Sequence, residues 1–233
     1  MRQTKIVATI SDQRCDIEFI EDLYKAGMNV ARINTAHITT EGGLKLIKNI
    51  RSISKSIAIM IDTKGPEIRT CKLQAHTELT KGQEVFFSFH KIESETTNIC
   101  VNYKKFVADL HVGDSILIDD VEIKFTVKEK FADYLLCTVD NSGMVKNNKS
   151  VNVPGIKIKL PSISEKDKEF IAFAAEQELD FIAHSFVRNR KDVQDVQKLL
   201  DNHKSPIKII AKIENLEGVN NIDEILDEAY GIM

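Results

Sequence analysis

Short apolar runs of strand length recur along the chain and alternate with segments of helical period. KIVATI from Lys5, MNVARIN from Met28, SIAIMID from Ser56, DFIAHSF from Asp180 and IKIIAKI from Ile207 are rich in β-branched residues. Each has the length and texture of a buried strand. Between them, apolar residues repeat at helical spacing over 16–26, 41–53, 164–178 and 191–200, with Phe19, Ile20 and Leu23 on one face and Leu44, Leu46, Ile47 and Ile50 on another. A strand-helix rhythm of this kind predicts a parallel sheet covered by helices.

The rhythm breaks once. Between the runs at Ser56 and Asp180, a generous strand-helix unit of about 40 residues leaves about 84 to account for. That stretch, 70–153, has a different texture: EVFFSF, SILID, IKFTV, YLLCTV and KSVNV are punctuated by turn residues at Lys81-Gly82, Gly113-Asp114 and Asn141-Ser142-Gly143. It predicts a small all-β module without helices. Lys64-Gly65-Pro66 and Pro154-Gly155 are the expected hinges, and Ser164 with Asp167 marks the helix start beyond them as a capping box. The domain expectation is therefore 1–69 with 154–233, interrupted by 70–153.

A (β/α) barrel is the natural closed form of such a repeat, with an open doubly wound sheet as rival. Nearly every strand run ends in reactive or charged groups: Thr9, Arg32 and Asn34, Asp62 and Lys64, His184 and Ser185, Lys212 and Glu214. In a barrel those ends converge on one rim. No GxGxxG follows the first run, which removes the usual signature of a dinucleotide fold.

Composition narrows the classes. With 42% hydrophobic and 29% charged residues, and no apolar run near 20 residues, neither disorder nor a membrane span is expected. Lys+Arg 32 against Asp+Glu 35 leaves a net charge of -3, too balanced for a protein that grips nucleic-acid backbones. Cys15, Cys71, Cys100 and Cys137 contain no CxxC pair and read as reduced thiols. The first residues lack the apolar stretch of a secretory signal, so the cytoplasm is the expected compartment.

Arg32 and Asn34 stand two apart on one strand and project to one face, and Lys212 and Glu214 repeat that spacing around Ile213. One rim thus offers a guanidinium and an ammonium for a phosphate, with Glu214 and Asp62 for a hard cation. The plainer reading is a set of solvated strand-end ion pairs.

The stretches TKIVATI, GMNVARINTAH, IDTKGPEIRT, KSVNVPG, LPSISEKD, DFIAHSFVR and KIENLEGVNNIDEI followed by GIM resemble the pyruvate kinase family, in order and over the whole chain from Thr4 to Met233. The resemblance implies a partial (β/α)8 TIM barrel interrupted by a small all-β, barrel-like lid domain. It implies phosphoryl transfer from phosphoenolpyruvate to ADP in glycolysis, giving pyruvate and ATP, with Mg2+ and K+. Carried over by position, Arg32 binds the substrate phosphate and Lys212 stabilises charge on the transferring group and the enolate. Glu214 is the Mg2+ ligand, while Asn34, Asp62 and the Thr63 carbonyl hold K+. Arg69 and Lys149 contact nucleotide phosphates, with Asn34 and His37 at the nucleotide end. Lid closure would bring Lys149 over the site. The family resemblance further implies a homo-oligomer, tetrameric in its full-length members, with no nucleic-acid or membrane partner.

The chain departs from the family pattern in four places. Ala36 stands where the family has a serine whose hydroxyl would ligate K+, whereas Glu67 matches K+-dependent relatives; K+ is expected to bind with water or Thr35 filling the gap. Ser11-Asp12 replaces a Gly-Pro, Ile38 replaces a glycine after His37, and Asp119-Asp120-Val121 replaces a turn that normally ends in glycine. His184 reads as a packing residue beside Ser185, and His76, His90, His111 and His203 as surface groups. Lys146 to Lys149 reads as a lid tip facing phosphates.

Two rivals remain. Mg2+-dependent pyruvate aldolases share a KIEN-like unit but lack the β module and DTKGPEIRT. The other is a non-catalytic fragment: by the resemblance, GIM opens the sixth strand, so five strands and the start of a sixth would leave an open edge, and the chain alone is expected to be inactive.

Overall fold

The computed structural model describes residues 4–36, 38–71, 73, 76–92, 94–119, 122–156 and 160–233. The chain divides into two compact units, Met1–Pro66 with Pro161–Met233, and Glu67–Leu160.

The first unit alternates strand and helix: β1 (Val7–Thr9), α1 (Ile17–Lys25), β2 (Val30–Asn34), α2 (Thr40–Ile53), β3 (Ala58–Asp62), α3 (Glu165–Glu176), β4 (Phe181–His184), α4 (Arg190–Asn202), β5 (Lys208–Ala211), α5 (Leu216–Asn220), α6 (Ile222–Leu226) and β6 (Gly231–Ile232). The six strands form one parallel sheet whose spatial order is the chain order, β1 through β6. The register sets Arg32 beside Met60 and Thr9, Asn34 beside Asp62, Asp62 beside Ala183, and His184 beside Ala211.

Local chemistry explains where the helices begin. Asp16, Thr39, Ser164, Asn189 and Asn215 each accept a first-turn amide on the side chain, satisfying donors that a helix start leaves unpaired. At α3 the expected capping box is present, with Ser164 and Asp167 bonded reciprocally.

Strand alternation then sorts the two faces of the sheet. Ala31, Ile33, Ile59, Ile61, Ile182, Ile209 and Ala211 are buried in one cluster with Ile20, Leu46, Ile47, Ile50, Phe170, Ile171, Val193, Val196 and Leu200 from the helices. The alternate positions, Arg32, Asn34, Met60, Asp62, Ala183 and, continuing beyond β5, Lys212, fall on the opposite face. Burying the isoleucine-rich face stabilises the unit by about 1.5–3 kcal/mol per large side chain.

The second unit is almost all β. Its seven-stranded sheet runs in the spatial order Val151–Asn152, Ser115–Ile118, Ile123–Lys130, Tyr134–Val139, Glu84–Ser88, Asn98–Val101, Thr70–Cys71. All neighbours are antiparallel except Glu84–Ser88 with Asn98–Val101. The two ends of the sheet meet through Thr70 N donating to Lys149 O and Val151 N donating to Ile68 O, at 2.9 and 2.8 Å. The sheet is thereby nearly closed, which protects edges that would otherwise template aggregation. Phe87, Phe106, Phe125, Val85, Ile99, Ile116 and Leu135 fill its interior, and Phe125 meets Phe87 edge-on with centroids 5.0 Å apart.

Among its described residues this unit contains one helical turn, Phe106–Asp109, where no helix was expected. It is four residues long, too short to leave a periodic signature, and it exists to bury Phe106 and Val107.

Candidate functional site

β2, β3, β4 and β5 deliver their C-terminal groups to one place in the parallel unit. Asp62, at the end of β3, is buried, its side chain 3% exposed. Arg32 Nε donates to Asp62 Oδ2 at 2.7 Å, and the second Arg32 nitrogen grips the same oxygen. Lys212 Nζ sits 3.2 Å from Asp62 Oδ1 and 3.1 Å from Glu214 Oε1. One buried carboxylate therefore holds two cations, and a second, more exposed carboxylate flanks the ammonium. Two cations opposite one buried carboxylate offset the cost of taking its charge out of water.

The surrounding polar groups position these four. Arg32 also donates to Thr9 Oγ1 at 2.8 Å. Ser185 is buried and accepts from Lys212 Nζ at 2.9 Å while donating to the Thr63 carbonyl at 2.6 Å. The Ser185 amide donates to Thr63 Oγ1 at 3.0 Å, and that hydroxyl lies 3.2 Å from His184 Nδ1. His184 points away from the site into the helix layer. Burial pushes its imidazole below the ordinary value, with Asp167 and Asp192 opposing, and Nε2 has no hydrogen-bond partner among the described residues.

Two backbone features hold the rim. Gly65 has φ +71, and a Cβ there would lie 2.9 Å from both Ser185 Cβ and Phe186 Cδ2, so only glycine fits between β3 and β4. Lys64 N and Gly65 N both donate to Asp167 Oδ1, at 3.0 and 3.4 Å, so the α3 capping residue also fixes the turn after β3. Phe186 has φ 58, a left-handed conformation costly for a bulky side chain, and its amide donates to Glu214 Oε2 at 3.0 Å.

Among the sequence-derived candidates, Arg32, Asp62, Lys212 and Glu214 come together. Asn34 lies on the same face of β2, its Oδ1 accepting from Ala36 N at 3.0 Å. Thr63 is buried beside Asp62. The strand-end charges pair with one another, as the plainer reading held, yet they are largely shielded from solvent rather than solvated.

Arg69 and Lys149 belong to the all-β unit. Arg69 pairs with Glu67 at 2.6 Å and also donates to the Asn148 carbonyl; Lys149 pairs with Asp119 at 2.6 Å. They lie on neighbouring segments, joined by an Arg69–Ser150 bridge. Asp119 itself takes the left-handed conformation, φ 55, which an aspartate tolerates better than most residues; Asp120 and Val121 lie outside the described residues, as does His37. His76, His90, His111 and His203 are exposed, as expected.

Sequence reasoning gave no role to Ser185 or Asp167 in this site. Ser185 was visible only as one strand-end hydroxyl among several, and Asp167 as a helix cap. Their sequence distance from Asp62 hides the contacts.

The family model described as pyruvate kinase, barrel domain, matches residues 1–233. A pyruvate kinase of Borreliella burgdorferi is 52% identical over 231 residues, covering 99% of this chain and 48% of the relative. Pyruvate kinases of Staphylococcus aureus and Staphylococcus epidermidis are each 42% identical over 240 residues, covering 100% of this chain and 41% of the relative. The chain thus spans about half the length of the curated relatives it matches. A family match that spans residues 1–233, with relatives 42–52% identical over that span, makes the chain a member of the pyruvate kinase family.

Proposed function

We propose that this chain supplies part of a site that transfers a phosphoryl group from phosphoenolpyruvate to ADP, giving pyruvate and ATP. The observation that carries this reading is the grip of buried Asp62 on Arg32 and Lys212 together. A transferring phosphoryl group spreads negative charge over its oxygens, and catalysis consists mainly of placing positive charge there in advance. Arg32 binds the substrate phosphate; Lys212 stabilises the charge that develops on the transferring group and on the enolate. Asp62 and Ser185 keep Lys212 oriented, so little reorganisation is required as the charge develops.

Among the described residues, no three or more His, Cys, Asp or Glu side chains gather in a metal-binding arrangement. A cation here rests on Glu214 and on ligand oxygens, the usual Mg2+ arrangement. Glu214 is suited to it: its side chain is 34% exposed and it already faces the ammonium end of Lys212. When bound, Mg2+ offsets charge on the phosphoryl oxygens. Asn34 Oδ1, the Asp62 carboxylate and the Thr63 carbonyl form an all-oxygen set suited to K+. Ala36 adds no hydroxyl, so water or Thr35 Oγ1, which donates to the Asp62 carbonyl at 2.9 Å and keeps its lone pairs, completes that set.

Arg69 and Lys149 are assigned to the nucleotide phosphates, which would replace Glu67 and Asp119 as their partners, and Asn34 and His37 to the nucleotide end. In this reading the parallel unit is part of a (β/α)8 barrel. The support is a strand order that follows the chain without the reversal a doubly wound sheet requires. The inserted all-β unit serves as its lid, within a cytoplasmic homo-oligomeric enzyme of glycolysis. No described helix is long and apolar enough to cross a membrane.

The test is calorimetric titration of phosphoenolpyruvate with Mg2+ into the wild type, Arg32→Gln and Lys212→Met, beside a coupled assay of ADP-dependent pyruvate formation. Arg32→Gln is expected to weaken Mg2+-dependent binding by about tenfold or more, the worth of a charge-assisted hydrogen bond, whereas Lys212→Met is expected to lower turnover in the coupled assay more than binding. Undiminished binding by Arg32→Gln, or undiminished turnover by Lys212→Met, would overturn the assignment.

A further inference from the structure

We propose that Cys71 and Cys100 form a reversible disulfide within the all-β unit when the protein meets a peroxide. All four cysteines are thiols in the structure. Two of them face one another: Thr70–Cys71 pairs antiparallel with Asn98–Val101, and the register sets Cys71 opposite Cys100. Directly opposed residues of an antiparallel pair have Cα atoms about 4.5–5.5 Å apart and side chains on one face. That separation lies inside the range of about 4.4–6.8 Å that a disulfide spans. Cys15 lies in the other unit, and Cys137 stands opposite Val85 and Val127, so neither competes.

The two thiols also differ in access. Cys71 is partly exposed, whereas Cys100 is 1% exposed and its Sγ donates to Asn98 Oδ1 at 3.2 Å. An exposed thiol beside a protected one is the usual arrangement of an attacking and a resolving cysteine. The Cys71 thiolate attacks one oxygen of hydrogen peroxide; an S–O bond forms, the O–O bond breaks, and hydroxide leaves to take up a proton. Cys100 Sγ then attacks the Cys71 sulfenic sulfur, forming S–S and releasing the second oxygen as water. Two thiols are oxidised while one peroxide is reduced to two waters, and an external dithiol reverses the step by exchange.

The link would fix the short strand Thr70–Cys71 to Asn98–Val101. From that strand Thr70 holds a loop, its Oγ1 donating to Lys146 O at 2.6 Å and accepting from Lys149 N at 2.9 Å. Oxidation therefore acts on the segment that presents Lys149. The disulfide itself rests on the register alone, not on the proposed activity.

The native protein is treated with rising hydrogen peroxide, alkylated and digested, and the peptides are mapped by mass. The expected result is a peptide linking Cys71 to Cys100, about 2 Da lighter than its separate parts for the two hydrogens lost, and restored by dithiothreitol. Cys71→Ser and Cys100→Ser should each abolish it, and Cys100→Ser should leave a sulfenic acid on Cys71 that dimedone traps. Oxidation of Cys71 to sulfinic acid at the same rate in wild type and Cys100→Ser would overturn the proposal. So would linkage through Cys15 or Cys137, or no reaction at either residue. Cys100→Ala replaces Cys100→Ser should the latter not fold, and the Cys71→Ser arm decides independently. Binding of Mg2+–ADP before and after oxidation is a separate readout: its absence in both states counts against the nucleotide assignment and leaves the disulfide standing.

Discussion

Lys212 reaches Asp62 across an intervening strand, 3.2 Å from Nζ to Oδ1, and Asp62 binds Arg32 from the other side. The carboxylate is the common partner of two cations that would otherwise repel each other. Asp62→Asn therefore removes more than one ion pair. The variant is expected to lose about 2–3 kcal/mol of stability, below the full cost of breaking a buried pair because Arg32 is partly exposed. Urea unfolding measures the loss. Adding Lys212→Met should recover part of it; a fully additive double variant would show that the three charges are not coupled.

Gly65 and Gly82 separate the two reasons a chain keeps glycine. Both have positive φ, but a Cβ at Gly65 would collide with Ser185 and Phe186, while at Gly82 it would meet nothing within 4 Å. Gly82→Ala should cost about 1 kcal/mol from backbone strain alone, and Gly65→Ala about 2–4 kcal/mol. Equal losses in denaturant midpoint would mean that the close approach at Gly65 carries no weight.

Asp167 is fully buried and accepts from Ser164, Lys64 and Gly65. Asp167→Ala should cost about 2–4 kcal/mol, the sum of a lost cap and newly unpaired buried donors. Amide exchange at Lys64, Gly65 and Ser164 should accelerate together. Acceleration confined to Ser164 would reduce the residue to a helix cap.

Burial pushes the Cys137 thiol up to about 12, with Asp140 adding to the shift. In the unfolded chain the thiol ionises near 9.0. The folded state thus keeps its proton where the unfolded state loses it, and stability from this group, complete below about pH 9, declines as pH rises toward 12. Cys137→Ala should flatten that part of the stability–pH curve. Native Cys137 should also resist iodoacetamide at pH 8 far longer than Cys71 does; comparable rates would contradict the burial argument.

The strand-helix rhythm, the insertion and the capping box at Ser164 were all legible because each is written in nearby residues. The faces of the sheet followed too, since alternation along VARIN separates Arg32 and Asn34 from Ala31 and Ile33 without further information. Contacts that depend on register between distant strands were not legible. Ser185 beside Lys212, Asp167 beneath Gly65 and Cys71 opposite Cys100 each require knowing how far one element slides along another. The helical turn at Phe106 and the strand Asn98–Val101 were missed for a local reason, being short segments set among polar residues.

The hydrogen bond from Val151 N to Ile68 O has a bearing on how the chain finds its fold. β3 must pair with β4 across the whole insertion, and an unstructured loop of that length is slow to close. Once the all-β unit has folded, its entrance and exit are tied together, and the effective loop shrinks to 63–67 and 152–180. Shortening a loop about 3.5-fold lowers the closure cost by about 1 kcal/mol. The order of events is then set by the inserted segment, whose own collapse acts as the clasp that lets two distant strands meet.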